Sequence, residues 1–358
     1  MGSVAVRVER PALVGGRLYE IDLLRIFAAV SVVLYHYLFA GYYKVVSPLG
    51  FAAPGLVARY GYLGVDLFFL ISGFVVLLSA WDRTPRSFVV SRVVRLYPAY
   101  WVAVTLTALV SVLFGAGRFP IGFVQYLGNL TMLNSLADLD NVDVVYWTLW
   151  AELRFYAIVF ALTCFTITAR RVSILLWAWL GLTALFEYGV LPAGADLVLN
   201  TQYSHYFIAG MALCLIYRFG PRRSWLVLVG LCLVNAVYRG VQFAGDVESR
   251  FHTAIQRPVV VVLIALIFAV MLAVALRLTT RLARPWFVVL GALTYPLYLI
   301  HAHIGFIVFE RLGDQVNKYL LVGTTTAAMV GAAYLINRYV ERPLAPRLKR
   351  VLGEGRRG

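Results

Sequence analysis

Arg25 and His36 stand eleven residues apart in a stretch that is otherwise mostly apolar. At about 100° per residue, eleven steps turn a helix through about three turns and 20°, so both side chains fall on one stripe, about 16 Å apart along the axis. An ionisable group inside an apolar helix is costly and marks function by default. Taken singly, Arg25 reads as a snorkelling cation and His36 as a hydrogen-bonded core imidazole. As a pair they offer a fixed cation near one end of a helix and a group that titrates near neutral pH deep within it. That geometry suits a long, anionic molecule threaded along the stripe with its reactive end at the imidazole.

Four further segments carry groups of this kind. Asp66 lies in GVDLFFLISGF (64–74) and needs a partner in a low dielectric; the arginine or histidine of the first stretch would serve. Arg92 and Arg95 in SRVVRLYPAYW (91–101) are three apart, on one face if the segment is helical, and arginine forks suit phosphate oxygens. Ordinary anchoring at a membrane surface would account for them equally well. Glu152 and Arg154 in YWTLWAELRFY (146–156) are two apart and so face different ways; Glu152 has no local partner and is assigned to the pocket of an acceptor. In TYPLYLIHAHIGF (294–306), His301 is about 22 Å along a helix from Trp286, near the depth expected for His36, and His303 points elsewhere. Asp138, Asp140 and Asp143 read as a solvated loop, because they lack the glycine turn and distal glutamate of a calcium loop. Cys164, Cys214 and Cys232 sit in apolar runs without zinc spacing, and no metal is expected.

The elements that position these groups follow from composition. The chain has 358 residues, 61% hydrophobic and only 14% charged, with a mean hydropathy of +0.81. A soluble domain holds about 25% charged residues. The reading is therefore an all-α, polytopic membrane protein, since only helices satisfy the backbone in lipid at this composition. Ten apolar segments are long enough or nearly so: 22–43, 61–81, 97–115, 147–168, 173–192, 203–218, 224–240, 257–276, 286–309 and 319–340. With the N-terminus cytoplasmic, inner segments hold 21 Lys and Arg against 8 in outer ones, a positive-inside signal that places both termini in the cytoplasm. The net charge of +15 is then mostly topology, and nucleic acid is excluded as a partner. Residues 1–20 contain no signal-peptide core and form a cytoplasmic tail, 21–342 a single membrane domain, and 343–358 a basic cytoplasmic tail. The longest outer connection, 116–146, contains an apolar piece too short to span, read as re-entrant or interfacial.

Taken in order, these segments resemble the acyltransferase-3 family of bacterial integral membrane proteins, over about residues 18–345. The resemblance rests on the Arg-x10-His pair, the GVDLFFLISGF run, the Arg-x-x-Arg loop, the W-T-L-x-x-E-x-x-F-Y run, the Y-L-I-H run and the closing YVERP (339–343). Thr148 stands where serine is common, and Arg154 where a polar residue such as glutamine often stands. The resemblance implies transfer of an acyl group, usually acetyl, from cytoplasmic acyl-CoA to a hydroxyl, most often on a cell-envelope or exported glycan or a small glycoside, in the inner (plasma) membrane. Many members carry an extra extracytoplasmic hydrolase-like domain. This chain ends soon after its last span and is expected to lack one, so it completes the transfer or hands the acyl group to a separate extracytoplasmic acyltransferase.

The residues fit that chemistry. Arg92, Arg95 and Arg25 would meet the phosphates of acyl-CoA, and the long arm would follow the stripe toward His36. His36 would be general base for the acceptor hydroxyl, with a covalent acyl-histidine relay as a variant. Asp66 would orient or balance His36 or Arg25, and Glu152 and His301 would line the acceptor end beside membrane lipid. The competing class is a transporter or flippase for a lipid-linked sugar, which would more often show paired halves with interrupted spans. No such symmetry is visible, and the tails are too short for a sensor's output domain.

Overall fold

A computed structural model describes residues 18–353, and among these there is no β-strand. Most of the expected N-terminal tail and the last five residues lie outside the described residues. The helices that build the bundle are α1 (Tyr19–Tyr35), α2 (Leu63–Ala80), α3 (Pro85–Phe114), α4 (Trp147–Thr163), α5 (Ala169–Glu187), α6 (Ser204–Phe219), α7 (Arg223–Phe251), α8 (Arg257–Ala275), α9 (Phe287–Ile300), α10 (Ala302–Leu312), α11 (Lys318–Ile336) and α12 (Arg342–Val351). Each of the ten apolar segments has a helical counterpart. Eight runs are long and apolar enough to cross a membrane, and α9 with α10 makes a ninth if that pair, bent by 64°, is one span. The segment at 203–218 becomes α6, whose 16 residues give about 24 Å of helix, short of the hydrocarbon thickness of about 30 Å. It is buried along nearly its whole length, as the central post of the bundle.

Small residues set how closely that post is held. Gly73 of α2 and Gly210 of α6 face each other. A β-carbon at Gly73 would strike the Phe207 carbonyl oxygen, and one at Gly210 the Leu70 carbonyl oxygen. Gly64, on the same helix, brings α2 against α1, where a β-carbon would lie 2.6 Å from the Ala28 carbonyl oxygen. Membrane helices associate through such close backbone approach, because lipid removes the hydrophobic drive between them. Gly73→Leu is expected to force α2 from α6 and destabilise the bundle by about 1–3 kcal/mol or more. Thermal unfolding in detergent reads this as a lower midpoint; an unchanged midpoint would contradict the close crossing.

Two short π-helical turns interrupt the spans. His36–Ala40 follows α1 directly, and Asn337–Glu341 follows α11. The second lies in the closing motif. There the Asn337 amide donates to Glu341 Oε2 at 2.6 Å and Arg342 Nε donates to Asn337 Oδ1 at 3.1 Å, so this motif fixes the joint between α11 and α12. Helix α12 lies against the start of α3, where Arg86 donates to the Leu352 carbonyl at 2.8 Å.

The long connection 116–146 holds about two helical turns at Phe123–Asn129 rather than a span. Asp138 and Asp140 are not part of the core, but Asp143 corrects the reading of a solvated acidic group. It is fully buried, and its two oxygens accept from the backbone N–H groups of Val145 (3.2 Å) and His303 (3.0 Å). A carboxylate that caps two chain segments is a structural clasp.

Candidate active site

Two neighbouring chambers lie within the bundle between α1, α2, α4 and α9, one completed by α3 and the other by α6 and α7, and Val65 and Tyr298 line both. The chamber toward the start of α1, about 110 Å³, is lined by Arg25, Arg92, Arg95, Ser72, Glu152 and Tyr295, among others. Arg92 and Arg95 are not in a loop, as the sequence reading had it. Thr84 caps α3, accepting from Ser87 N at 3.3 Å, and Pro85 opens it, so one continuous helix carries both arginines into the bundle. The Arg92 guanidinium lies 5.6 Å from the Tyr156 ring centre, and that of Arg95 5.7 Å from the Tyr295 ring centre. Among the described residues no carboxylate approaches either within 4.0 Å. Among the described residues Arg25 makes one ion-pair contact, a long one of 3.8 Å to Asp22.

Glu152 lines this chamber too, beside the arginines. Its Oε1 accepts from Ser72 Oγ at 2.7 Å and from the Tyr156 hydroxyl at 2.5 Å. Its partners come from other turns and other helices, because α4 packs beside α2 and α3. Three guanidinium groups and one carboxylate leave the chamber positive, suited to an anion of several charges.

The second chamber, about 210 Å³, is lined by His36, Asp66, Tyr203, His205 and Tyr206, with Lys44 and Arg250. His36 begins the π-turn, a local widening often found at functional sites. Its Nδ1 lies 3.0 Å from the Val32 carbonyl oxygen and 3.1 Å from His301 Nε2. His301 sits at the bend between α9 and α10, fully buried, with Nδ1 2.7 Å from the Tyr298 carbonyl oxygen. The Tyr37 hydroxyl, one residue on from His36, donates to the His301 carbonyl at 2.8 Å and pins the bend.

These contacts fix the neutral tautomers. A carbonyl oxygen only accepts, so His301 carries its proton on Nδ1 and presents Nε2 as an acceptor. His36 Nδ1 faces two acceptors and must carry a proton too. The lone pair of His36 is then on Nε2, which has no partner among the described residues. A base oriented by a second histidine, itself oriented by a backbone carbonyl, has the logic of an activated relay.

Asp66 departs from expectation. Its partner is the Tyr206 hydroxyl of α6, which donates to Oδ2 at 3.0 Å, and not Arg25 or His36. A neutral phenol satisfies the carboxyl without a second buried charge. His303 turns away, stacked on Phe119 with ring centres 4.2 Å apart, and its Nε2 accepts from Val144 N at 3.3 Å. Arg154 points out of both chambers to the Asp196 carbonyl (3.0 Å) and Asn200 Oδ1 (2.6 Å). Sequence reading missed Tyr206, Tyr298, Ser72 and His205. Of these, His205 carried a usable signal, being an imidazole within an apolar segment like His36.

A helical membrane bundle that joins an arginine-lined chamber to an oriented histidine has the parts of a membrane-embedded transferase. The chain belongs to the acyltransferase-3 family: the family model described as an acyltransferase domain matches residues 18–338. It is therefore an acyltransferase and a multi-pass membrane protein. Over 303 residues it is 28% identical to the exopolysaccharide production protein ExoZ of Rhizobium meliloti (strain 1021), covering 80% of this chain and 90% of that protein. A segment of 169 residues is 31% identical to nodulation protein 10 of Rhizobium leguminosarum bv. viciae, 39% of this chain and 43% of that one. A shorter stretch, 102 residues at 30% identity, matches the peptidoglycan O-acetyltransferase OatA of Listeria monocytogenes serovar 1/2a, 26% of this chain and 14% of that protein. No solved structure matches.

Proposed function

We propose that the chain moves an acyl group, most simply acetyl, from acyl-CoA to a hydroxyl of a cell-envelope or exported glycan, in the inner (plasma) membrane with the N-terminus cytoplasmic. The observation that carries this reading is that two chambers share Val65 and Tyr298, with three arginines lining one and His36 lining the other. The residues present fit the donor: a chamber with three guanidinium groups suits its phosphates, and the neighbouring chamber holds the imidazole.

The step balances as follows. The acceptor hydroxyl gives its proton to His36 Nε2 as its oxygen bonds to the thioester carbonyl carbon. The resulting imidazolium keeps its Nδ1–H toward His301 Nε2, an orientation that needs no rearrangement. When the carbon–sulfur bond breaks, the proton on Nε2 goes to the departing thiolate and His36 returns to its starting form. Asp66 and Tyr206 line the acceptor side, and Glu152 stands among the donor arginines, held by Ser72 and Tyr156.

His301 acts through His36, as a positioning residue. His301→Ala is expected to lower kcat tens- to hundredfold with KM for acyl-CoA unchanged. His301→Gln, whose side-chain oxygen can accept the His36 proton, should restore part of that loss. Equal losses in kcat and donor affinity, without rescue by glutamine, would assign His301 to packing alone. The proposal as a whole is tested by acyl-CoA consumption in purified protein given a glycan acceptor. Movement of a lipid-linked sugar without any thiol release would favour the transporter class.

A further inference from the structure

The chamber at His36 contains groups that proton transfer does not use. His205 is fully buried and lines the chamber, and neither ring nitrogen has a hydrogen-bond partner among the described residues. Tyr62 lines the same space, and its hydroxyl is also buried without a hydrogen-bond partner among the described residues. Buried polar atoms are nearly always paired, so two orphan groups around one cavity point to a polar occupant. Trp147 and Tyr203 form part of the wall, their rings 5.3 Å apart and inclined by 32°, an apolar face of the size of a sugar ring.

Charge narrows the class of occupant. Lys44, Arg239 and Arg250 all line the chamber. Arg239 is engaged by Glu187 at 2.8 Å. Lys44 and Arg250 make no side-chain hydrogen bond or ion pair with any described residue. Lys44 follows the end of the first span, half-buried, and Arg250 is exposed near the end of α7. Burial, and then the Arg250 guanidinium, push the Lys44 ammonium below its ordinary value. Among the described residues the one carboxylate lining this chamber is Asp66, already held by Tyr206. Asp143 lies in the field of Lys44, but its oxygens are taken by backbone N–H groups.

We propose that this chamber selects an acidic acceptor: a sugar whose carboxylate or phosphate is held by Lys44 and Arg250, its ring against Trp147 and Tyr203, its hydroxyls read by His205 and Tyr62. This rests on the acyl-transfer reading only in calling the bound sugar the acceptor. Two cations with no direct ion-pair partner among the described residues favour an anion over its neutral isostere by about tenfold, since one is half-buried and the other open to solvent.

The test is equilibrium binding to the full-length protein in detergent, with no acyl donor present. The probes are methyl glucuronide, its neutral methyl ester, and methyl glucoside 6-phosphate. An anionic probe is expected to bind about tenfold more tightly than the ester, with carboxylate and phosphate arms showing which substituent is preferred. Lys44→Gln with Arg250→Gln should abolish the preference, and His205→Ala should weaken all three probes alike. Equal binding of acids and ester by the wild type, or a preference that survives the double substitution, overturns the proposal. Acyl-CoA consumption, measured separately, reports on the acyl-transfer reading, so either can fail without the other.

Discussion

His36→Ala is expected to lower the rate of acyl transfer by about 10²–10⁴-fold, the usual contribution of a positioned general base. His36 is the residue whose lone pair the surroundings leave free: Nδ1 is committed to Val32 and His301, and Nε2 is not. The alanine variant also strips His301 Nε2 of its donor, which costs about 1–3 kcal/mol in a buried site. A loss of activity in that variant alone would thus mix chemistry with stability. His36→Gln separates them, because an amide can still donate to His301 but is no base. The glutamine variant should keep a near wild-type unfolding midpoint and membrane level while losing transfer to the same extent. Activity within a few-fold of wild type in His36→Gln would remove the imidazole from the chemistry.

The second large effect is on donor affinity. Arg92→Ala and Arg95→Ala are each expected to raise KM for acyl-CoA by about 10–100-fold, since each hydrogen bond to a charged group contributes about 1.5–3 kcal/mol. The effect should fall on KM more than on kcat, because the arginines line one chamber and His36 the other. Arg92→Lys should recover only part, since an ammonium is a point charge and not a planar fork. Neither arginine has an acidic partner among the described residues, so each substitution leaves no orphaned carboxylate behind. Unchanged donor affinity would mean that the pair serves only to anchor α3.

The contrast between what the sequence made legible and what it hid has a physical basis. The Arg25–His36 stripe is a local property, set by the helical repeat, and α1 is regular from Tyr19 to Tyr35. The depth of His301 was readable for the same reason, and the structure brings its ring against that of His36. The start of α3 was also written locally, in Thr84-Pro85, but reading the arginines as a loop passed over that capping signal. Partners across helices were not legible. Asp66 meets Tyr206 across 140 positions and Glu152 meets Ser72 across 80, and no spacing rule reaches that far. Asp143 was misplaced because a run of aspartates reads as solvated, whereas its burial comes from backbone N–H groups of two separate segments. His205 was hidden among aromatic residues in the shortest apolar segment, α6, whose central place in the bundle is decided by packing at Gly73 and Gly210.

One measurement bears most directly on the central claim that the two chambers form one path from donor to base. It is a cryo-electron-microscopy structure of the protein with a non-hydrolysable acetyl-CoA analogue in which a methylene bridges sulfur and carbonyl. The expected result is phosphate oxygens within hydrogen-bond distance of Arg92 and Arg95, the arm passing Tyr298 and Val65, and the acyl carbonyl beside His36 Nε2. An analogue bound with its acyl end away from His36, or with its phosphates outside the arginine chamber, would contradict it.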